Sequence, residues 1–293
     1  MKLRGAIIGT FDGVHRGHVS VIDTLLELCQ EKGLEPVAIT FDKHPLAHIA
    51  PHRTPPTITT TEKKCELLKS YKISPIVFTF DESLRRLTAE EWMKKIYEEL
   101  GVRLIVLGYD NTFGCDGGSL SLSKYQEIGK LIGIEVVQAQ ELEGISSSAI
   151  REAILTGNVE KATEMSGRHH SIAGLVVAGN RLGRKLGYPT ANLSVADNLA
   201  LPSAGVYAAI ASLPDGSKLP AMVNIGRRPT IDSGNEKVIE AHIIGFSGDL
   251  YGKEVKLRFI SRLRDEIKFD SLTQLQQQLD KDKEHTLNAA RKH

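Results

Sequence analysis

The sequence GTFDGVHRGH, Gly9 to His18, follows the apolar run AII and places two histidines three residues apart. The apolar run and the later residues Ile22, Leu25 and Cys29, which recur at helical spacing, predict a β-strand that turns directly into a helix. In open α/β sheets, ligands bind beyond the carboxyl ends of the strands, where a helix N-terminus offers backbone N–H groups to phosphate. The stretch therefore predicts a phosphate-binding strand–loop–helix unit.

The residue types within this stretch favour phosphoryl or nucleotidyl transfer. Both His15 and His18 can donate hydrogen bonds to negative charge that develops on a transferring phosphate. Gly13 and Gly17 would let the backbone approach that phosphate closely. The alternative is that either histidine only caps the helix or lies on the surface.

Composition limits the class of protein. The 293 residues suffice for two domains, and 37 basic residues offset 36 acidic ones, so no broad basic field invites nucleic acid or an anionic membrane. No apolar run reaches the length of a membrane span or signal peptide, so we expect a soluble protein with a small-molecule partner. Cys29, Cys65 and Cys115 lack paired spacing, which predicts a reducing, cytoplasmic setting.

The pattern of strands and helices changes near residue 165. Before it, apolar β runs alternate with helical segments, which predicts a doubly wound, Rossmann-like α/β domain over residues 1–165. After it, shorter β runs predict a small antiparallel β-barrel over residues 166–293, with a C-terminal helix after Ser271. That helix would place Leu272, Leu275 and Leu279 on one side, against the barrel.

One predicted helix of the first domain begins at TAEEW. Thr88 and Glu91 have the spacing of a capping box, and Trp92 is expected to pack in the core rather than against a flavin.

A second phosphate-binding pattern is GNRLGRKLGYPTANL, Gly179 to Leu193. Its glycines and basic residues suit a flap over phosphates, although such a pattern alone could equally be an ordinary loop. Thr190 and Asn192 project to the same side of an extended chain and supply oxygen ligands suited to Mg²⁺ with ATP phosphates. The structural alternative is a hairpin in which proline and asparagine only form a turn.

The segment VIEAHII alternates in polarity. Alternation places Ile239, Ala241 and Ile243 on one face of a strand. Glu240 and His242 then share the other face, where they either meet solvent or line a site. Without further information solvent is favoured, because exposed acidic residues on antiparallel strands are common.

The segment ISSSAIR could begin another helix at a phosphate. Ser147 and Ser148 are candidate N-caps, and Arg151, one turn further on, could bind the triphosphate of ATP bidentately. The same residues could equally form an ordinary capped helix.

These motifs together resemble a known family. GTFDGVHRGH resembles the HxGH motif of the nucleotidylyltransferase superfamily, in the form found in bacterial bifunctional riboflavin kinase/FMN adenylyltransferases. TFDKHP, GYDNTFG and ISSSAIR resemble the PHP, GxDFxFG and SSTxxR segments of that family. GNRLGRKLGYPTANL is similar to the riboflavin kinase signature, and NIGRRPT, DLYG and LRDEIKFDS match its remaining segments. The resemblance spans nearly the whole chain.

The resemblance implies a two-site enzyme of FAD biosynthesis. The barrel would phosphorylate riboflavin with MgATP, and the first domain would then adenylylate FMN with a second ATP. Flavins would thus be substrates and products, and no nucleic acid or membrane partner is implied. The alternatives are a riboflavin kinase whose N-terminal module only binds nucleotide, and a non-catalytic flavin or nucleotide sensor. No oligomeric state is predicted.

The resemblance also implies site residues, position by position. The catalytic set is Glu240, as the base for the riboflavin 5′-hydroxyl, with His15, His18 and Arg151. The ATP- and phosphate-binding set is Gly9, Phe11, Gly13, Gly17, Asp110, Ser147, Ser148, Gly183, Arg184, Lys185 and Gly187. The flavin-binding set is His44, Asn111, Arg228 and Arg264, and the metal ligands are Thr190 and Asn192.

Some positions depart from the family pattern. Lys43 replaces the first proline of PHP, Asn111 replaces an aromatic residue, and CDGG after Gly114 lacks a basic residue. His44, His48 and His52 recur every four residues, as helical metal ligands do. Prolines 45 and 51 interrupt that spacing, so this segment is predicted to be a mobile, partly exposed loop.

Overall fold

The computed structural model forms two compact units, Met1–Ser147 and Ser148–His293. It describes residues 2–49, 51–109, 111–179, 183, 186–230 and 234–293, with backbone alone at 48–49, 227–230 and 234–236. Val159, before the predicted boundary at residue 165, packs in the core of the second unit. The predicted boundary between the two functional domains, near residue 165, stays a prediction.

The first unit contains a parallel five-stranded sheet in the order β3-β2-β1-β4-β5. The strands are β1 Arg4–Ile8, β2 Glu35–Phe41, β3 Ser74–Phe78, β4 Val102–Leu107 and β5 Glu135–Gln138. The chain builds outward from β1 to β3 and then returns to place β4 beside β1. The order therefore reverses between β1 and β4, and such a switch point is where open α/β sheets bind ligands.

Helices cover this sheet, as the α/β pattern predicted. They are α1 Arg16–Lys32, α2 Pro45–Ile49, α3 Thr61–Ser70, α4 Glu82–Arg85, α5 Ala89–Leu100 and α6 Leu122–Ile132. The capping box of Thr88 and Glu91 is confirmed, and Trp92 is buried in the core, as expected. Helix α1 ends at Gly33, whose φ of 65° is the left-handed conformation that favours glycine.

The prediction of a loop around the three histidines was wrong. Pro45 begins α2, and Pro51 begins a 3₁₀ turn at Pro51–Arg53. The fixed φ of proline suits the first position of a helix, where no intrahelical N–H is needed. Proline therefore starts a helical turn at both places instead of preventing one.

The second unit is a closed six-stranded antiparallel barrel, preceded by α7 Ser147–Leu155 and α8 Val159–Ser166. Its strands are β6 Ser171–Val177, β7 Ala191–Ser194, β8 Gly205–Ser212, β9 Lys218–Thr230, β10 Gly234–Ile243 and β11 Glu254–Arg264, paired in the order β10-β7-β6-β11-β8-β9. Side chains such as Tyr207, Ile239 and Phe259 fill the interior. The interior of the barrel is thus a packed apolar core.

The C-terminal helix, α9, spans Leu272–Ala290 and packs on the barrel. The prediction for its contact face was wrong at Leu272, the first residue of the helix, which is 64% exposed. Leu279 does pack on the barrel, and Asp282 is 1% exposed. The Asp282 carboxylate pairs with Arg264 of β11 at 2.8 Å, so a buried ion pair fastens the helix to the barrel.

Replacing Asp282 with Asn should destabilise the second unit by about 3 kcal/mol, because the Arg264 guanidinium would remain buried without its counter-charge. Chemical denaturation measures the change. Glu284→Gln, on the exposed side of the same helix, is the control and should change stability by less than about 0.5 kcal/mol. Equal midpoints for the two variants would show that the ion pair contributes nothing.

Candidate functional site

The loop after β1 holds a strained backbone at the switch point. Phe11 and Val14 have φ values of 47° and 40°, and Gly13 between them has a φ of 80°. Positive φ at non-glycine residues is uncommon and costs energy unless the surroundings enforce it. Here packing enforces it, because the Phe11 and Val14 side chains are 4% and 0% exposed. A loop held in this way presents a fixed arrangement of backbone groups.

Asp12 ties this loop to the segment before α3. Its buried carboxylate accepts hydrogen bonds from the backbone N–H groups of Ile58, at 2.8 Å, and Thr59, at 3.1 Å. The N–H of Gly13 donates to the Thr59 hydroxyl at 3.1 Å.

The Lys64 ammonium donates to the carbonyl of Phe41 at 2.8 Å, and burial lowers the pKa of Lys64. Sequence reasoning missed both Asp12 and Lys64.

The two histidines come together at the start of α1. The rings of His15 and His18 stack with their centroids 3.7 Å apart, and Phe11 meets His18 edge-on. His15 occupies the N-cap position, but its side chain makes no capping hydrogen bond. Instead, His15 Nε2 lies 3.1 Å from the hydroxyl of Ser147. The ring is therefore positioned by tertiary contacts rather than by the helix that it precedes.

The two serines of ISSSAIR differ in their surroundings. Ser147 is the first residue of α7 rather than its cap, and its hydroxyl donates to the Asp12 carbonyl at 2.9 Å. Ser148 is exposed. Arg151, one turn along α7, is 8% exposed. The structure thus brings Ser147 to the histidine loop.

The remaining candidates of the first unit make local contacts. The Asn111 amide donates to the carbonyl of Ile8, which joins the loop after β4 to the end of β1. The N–H of Gly9 donates to the Ile39 carbonyl at 3.0 Å. The Nδ1 atom of His44 accepts from the N–H of Leu46 at 3.1 Å and so caps α2. Asp110 lies outside the described residues.

A pocket on the outer surface of the barrel contains the kinase candidates. Ile239, Ala241 and Ile243 point into the barrel core, which confirms the predicted alternation of β10. Glu240 and His242 line the pocket, so they do not simply face open solvent. The pocket is further lined by Gly183, Leu186, Tyr188, Thr190, Val206, Met222, Asn224, Arg264, Glu266, Ile267, Phe269, Leu275, Leu279 and Asp282.

Glu240 lies between two asparagines in the sheet. It is opposite Asn192 of β7 on one side and Asn224 of β9 on the other. Among the described residues, none donates a hydrogen bond to the Glu240 carboxylate.

The oxygen atoms around Glu240 fit Mg²⁺ bound together with phosphate. Thr190 lines the pocket just before β7, and Asn192 of β7, which is 8% exposed, is paired with Glu240 in the sheet. A Cβ atom at Gly179 would come within 2.1 Å of Asn192 Nδ2, so any other residue there would displace the Asn192 amide. The described residues contain no group of three or more histidine, cysteine or acidic side chains placed to hold a metal. Phosphate oxygens would complete such a Mg²⁺ site.

Two contacts attach the GYPTAN segment to its surroundings. The Tyr188 hydroxyl donates to Asp280 of α9, and burial together with that carboxylate raises the pKa of Tyr188 to about 12. His242 donates from Nδ1 to the Pro189 carbonyl at 2.8 Å, and burial lowers the pKa of His242. Helix α9 thus forms part of the wall of the pocket and, through Asp280, also contacts the segment that carries Thr190.

The remaining candidates of the second unit are basic residues and Gly187. Arg264 lines the pocket, but its guanidinium is paired with Asp282. Arg184 and Lys185, and the side chain of Arg228, lie outside what the structure describes. Gly187 has a φ of 80°, a conformation that favours glycine.

Neither unit shows a helix suited to a membrane. Among the residues that the structure describes, no helix is both long enough and apolar enough to cross a bilayer. The cysteines 29, 65 and 115 are all free thiols.

Comparison with known proteins agrees with this two-site geometry. The FAD synthetase family matches residues 4–151, and the riboflavin kinase family matches residues 166–290. Proteins named bifunctional riboflavin kinase/FMN adenylyltransferase are similar along the chain. The one from Buchnera aphidicola is 35% identical over 94% of this chain and 90% of its own, and the one from Escherichia coli K12 is 33% identical over 94% and 89%.

A solved structure confirms the fold over nearly the whole chain. A crystal structure from Streptococcus pneumoniae, titled as a macrolide-efflux protein, has a TM-score of 0.89 and 32% identity over 98% of this chain and 95% of its own. The matches in both halves and the identity to full-length relatives agree, and the chain belongs to the bifunctional riboflavin kinase/FMN adenylyltransferase family.

Proposed function

We propose that the protein makes FAD from riboflavin in two steps at two separate sites. The barrel phosphorylates riboflavin with ATP, giving FMN and ADP, and the first unit transfers AMP from ATP to FMN, giving FAD and pyrophosphate. The observation that carries the proposal is that each unit has its own site: stacked histidines at a sheet switch point in one, and a carboxylate in a pocket in the other.

In the kinase step, Glu240 takes the proton from the riboflavin 5′-hydroxyl as that oxygen attacks the γ-phosphorus of ATP. Thr190 and Asn192 would hold Mg²⁺, which neutralises phosphate charge when it is bound. The apolar side chains of Met222, Leu275 and Leu279 line the same pocket and suit a flavin ring. Flavin binding by Arg228 and Arg264 stays a prediction from the sequence.

In the adenylyl transfer, a phosphate oxygen of FMN attacks the α-phosphorus of ATP and pyrophosphate leaves. His15 and His18 donate hydrogen bonds to the charge that develops on the transferring phosphate. The loop that begins at Gly9 and passes through Phe11, Gly13 and Gly17 places backbone groups beside it. The roles of Asp110, Ser148 and Arg151 in binding ATP, and of His44 and Asn111 in binding flavin, stay predictions.

Two alternatives make different products. A protein with kinase activity alone would stop at FMN, and a non-catalytic sensor would convert nothing. A sensor needs neither a transfer site nor a base, so the presence of both histidines with Glu240 argues for catalysis. Incubation with riboflavin and MgATP, followed by chromatography, separates the three by yielding FAD, FMN alone, or neither. The cytoplasmic setting and the absence of nucleic-acid partners remain predictions from composition.

Replacing His15 and His18 with Ala should lower FMN adenylylation by about a hundredfold or more, the loss expected for a preorganised transition-state donor. Steady-state rates with FMN and ATP measure this effect. Riboflavin phosphorylation by the same variant is the internal control and should stay near normal. Unchanged FAD synthesis would contradict the role given to the histidines.

Glu240→Gln should lower riboflavin phosphorylation by about 10²–10⁴ in turnover, because it removes the base while keeping the shape of the side chain. Its affinity for ATP should hardly change. Thr190→Ala is the matched comparison and should weaken MgATP binding as well as turnover. Both variants should form FAD normally from supplied FMN. A large loss of that reaction would refute the division into two sites.

A further inference from the structure

We propose that His242 is a positioning residue that holds Thr190, the proposed metal ligand, in place relative to the proposed base, Glu240. The inference deepens the kinase site and rests on the function proposed for it. His242 lies two residues after Glu240 on the same face of β10, and both side chains line the pocket. The sequence left the role of His242 open, and its contacts in the structure assign it to the segment that carries Thr190.

Thr190 has little packing of its own. Both Thr190 and the preceding residue, Pro189, are exposed. The pairing of β7 with β10 starts at Ala191, which is opposite Ala241. Thr190 therefore lies one residue outside the paired part of the strand. Its placement depends on what holds the residue before it.

The carbonyl of Pro189 is held by the side chain of His242. The Nδ1 atom of His242 lies 2.8 Å from that carbonyl oxygen. A carbonyl oxygen carries no hydrogen, so the hydrogen of this bond is on Nδ1 and the imidazole is the donor. Pro189 has no N–H with which to pair in a sheet. The side-chain bond thus extends the attachment of this segment to β10 past the end of the backbone pairing, and Thr190 is held on both sides.

The His242 ring is itself held by Tyr188. The two rings meet edge-on, with their centroids 5.0 Å apart and their planes at 62°. Tyr188 is 7% exposed, and its hydroxyl donates to Asp280 of α9. A residue before proline is also restricted to extended conformations, which limits how Tyr188 can move. The orientation of the imidazole toward Pro189 therefore follows from the packing around it.

This arrangement attaches the proposed metal ligand and the proposed base to one strand. Glu240 and His242 are two residues apart, which is about 7 Å along a strand. Strand β10 is paired on both sides, with β7 and with β9. The bond from His242 to Pro189 therefore sets the position of Thr190 relative to Glu240. Group transfer requires the reacting atoms at a separation of about 3–3.5 Å, so a displaced metal ligand should slow it.

Variants that keep a donor at one ring nitrogen or the other test the bond by kinetics. Asn places its amide nitrogen near the position of Nδ1, and Gln places its amide nitrogen near that of Nε2. His242→Leu should lower kcat/KM for MgATP in riboflavin phosphorylation by about tenfold or more, while KM for riboflavin changes less than about threefold. His242→Asn should restore most of the loss, and His242→Gln should not. Wild-type kinetics in His242→Leu, or a Gln variant as active as the Asn variant, would overturn the proposal.

A double-mutant cycle tests whether His242 acts through Thr190. The variant with both His242→Leu and Thr190→Ala should be no less active than Thr190→Ala alone, because the ligand that His242 positions is already absent. Losses that multiply would mean that His242 acts on another group, such as the flavin, and would overturn the proposal. His285→Asn is the control, since His285 is an exposed histidine of α9, and it should keep wild-type kinetics.

Nitrogen NMR of the full-length protein with ¹⁵N-labelled histidine tests the bond without turnover. Spectra are recorded with the His242 ring neutral, and its signals are assigned by their loss in His242→Asn. We expect a protonated Nδ1 and an unprotonated Nε2, because the Pro189 carbonyl can only accept. The same spectrum is expected in Thr190→Ala. An unprotonated Nδ1 in the wild type would overturn the proposal.

These experiments separate the inference from the proposed function. If the wild-type protein formed no FMN, the kinase function would fail while the spectrum would still decide whether the bond exists. If His242→Leu did not fold, the comparison of His242→Asn with His242→Gln would decide. FAD formation from supplied FMN belongs to the first unit and should be equal in all the folded variants.

Discussion

The first unit depends on how the chain leaves β1. Two bulky side chains, Phe11 and Val14, adopt left-handed backbone conformations that they would avoid in an isolated peptide. Their burial and the hydrogen bonds to Asp12 hold them there. The surrounding packing offsets the cost of these conformations, and the loop held in this way carries both histidines at the start of α1.

In the second unit, apolar side chains fill the interior of the barrel, so a ligand cannot bind there. The proposed kinase site lies outside, where the polar side chains Asn192, Asn224 and Glu240 of β7, β9 and β10 are neighbours across the sheet. Helix α9 converts that surface into a pocket. The helix is fastened by carboxylates, Asp280 to the segment before β7 and Asp282 to β11, so its position relative to those side chains is fixed at two points.

Local periodicity made much of this structure predictable. Strand alternation put Glu240 on the face opposite Ile239, and the change from strand to helix placed His15 and His18 at a sheet edge. The pattern could not show whether Glu240 met solvent, because the covering helix lies some thirty residues further along the chain. Asp12 was missed for the same reason, since its partners Ile58 and Ser147 are 46 and 135 residues away. Pro45 and Pro51 led to the wrong prediction of a loop. Proline breaks a helix when it lies in the interior, but it is favourable as the first helical residue.

The alternation of β10 also links correct folding of the barrel to its chemistry. A strand that slips by one residue exchanges its two faces. In β10, such a slip would move Glu240 toward the apolar interior and Ile239 toward the pocket. Molecules in which β10 is mispaired by one residue would therefore have no kinase activity, rather than reduced activity. With Glu240 as the proposed base, the specific kinase activity of a preparation would report the fraction of molecules whose β10 strand has paired in the native register.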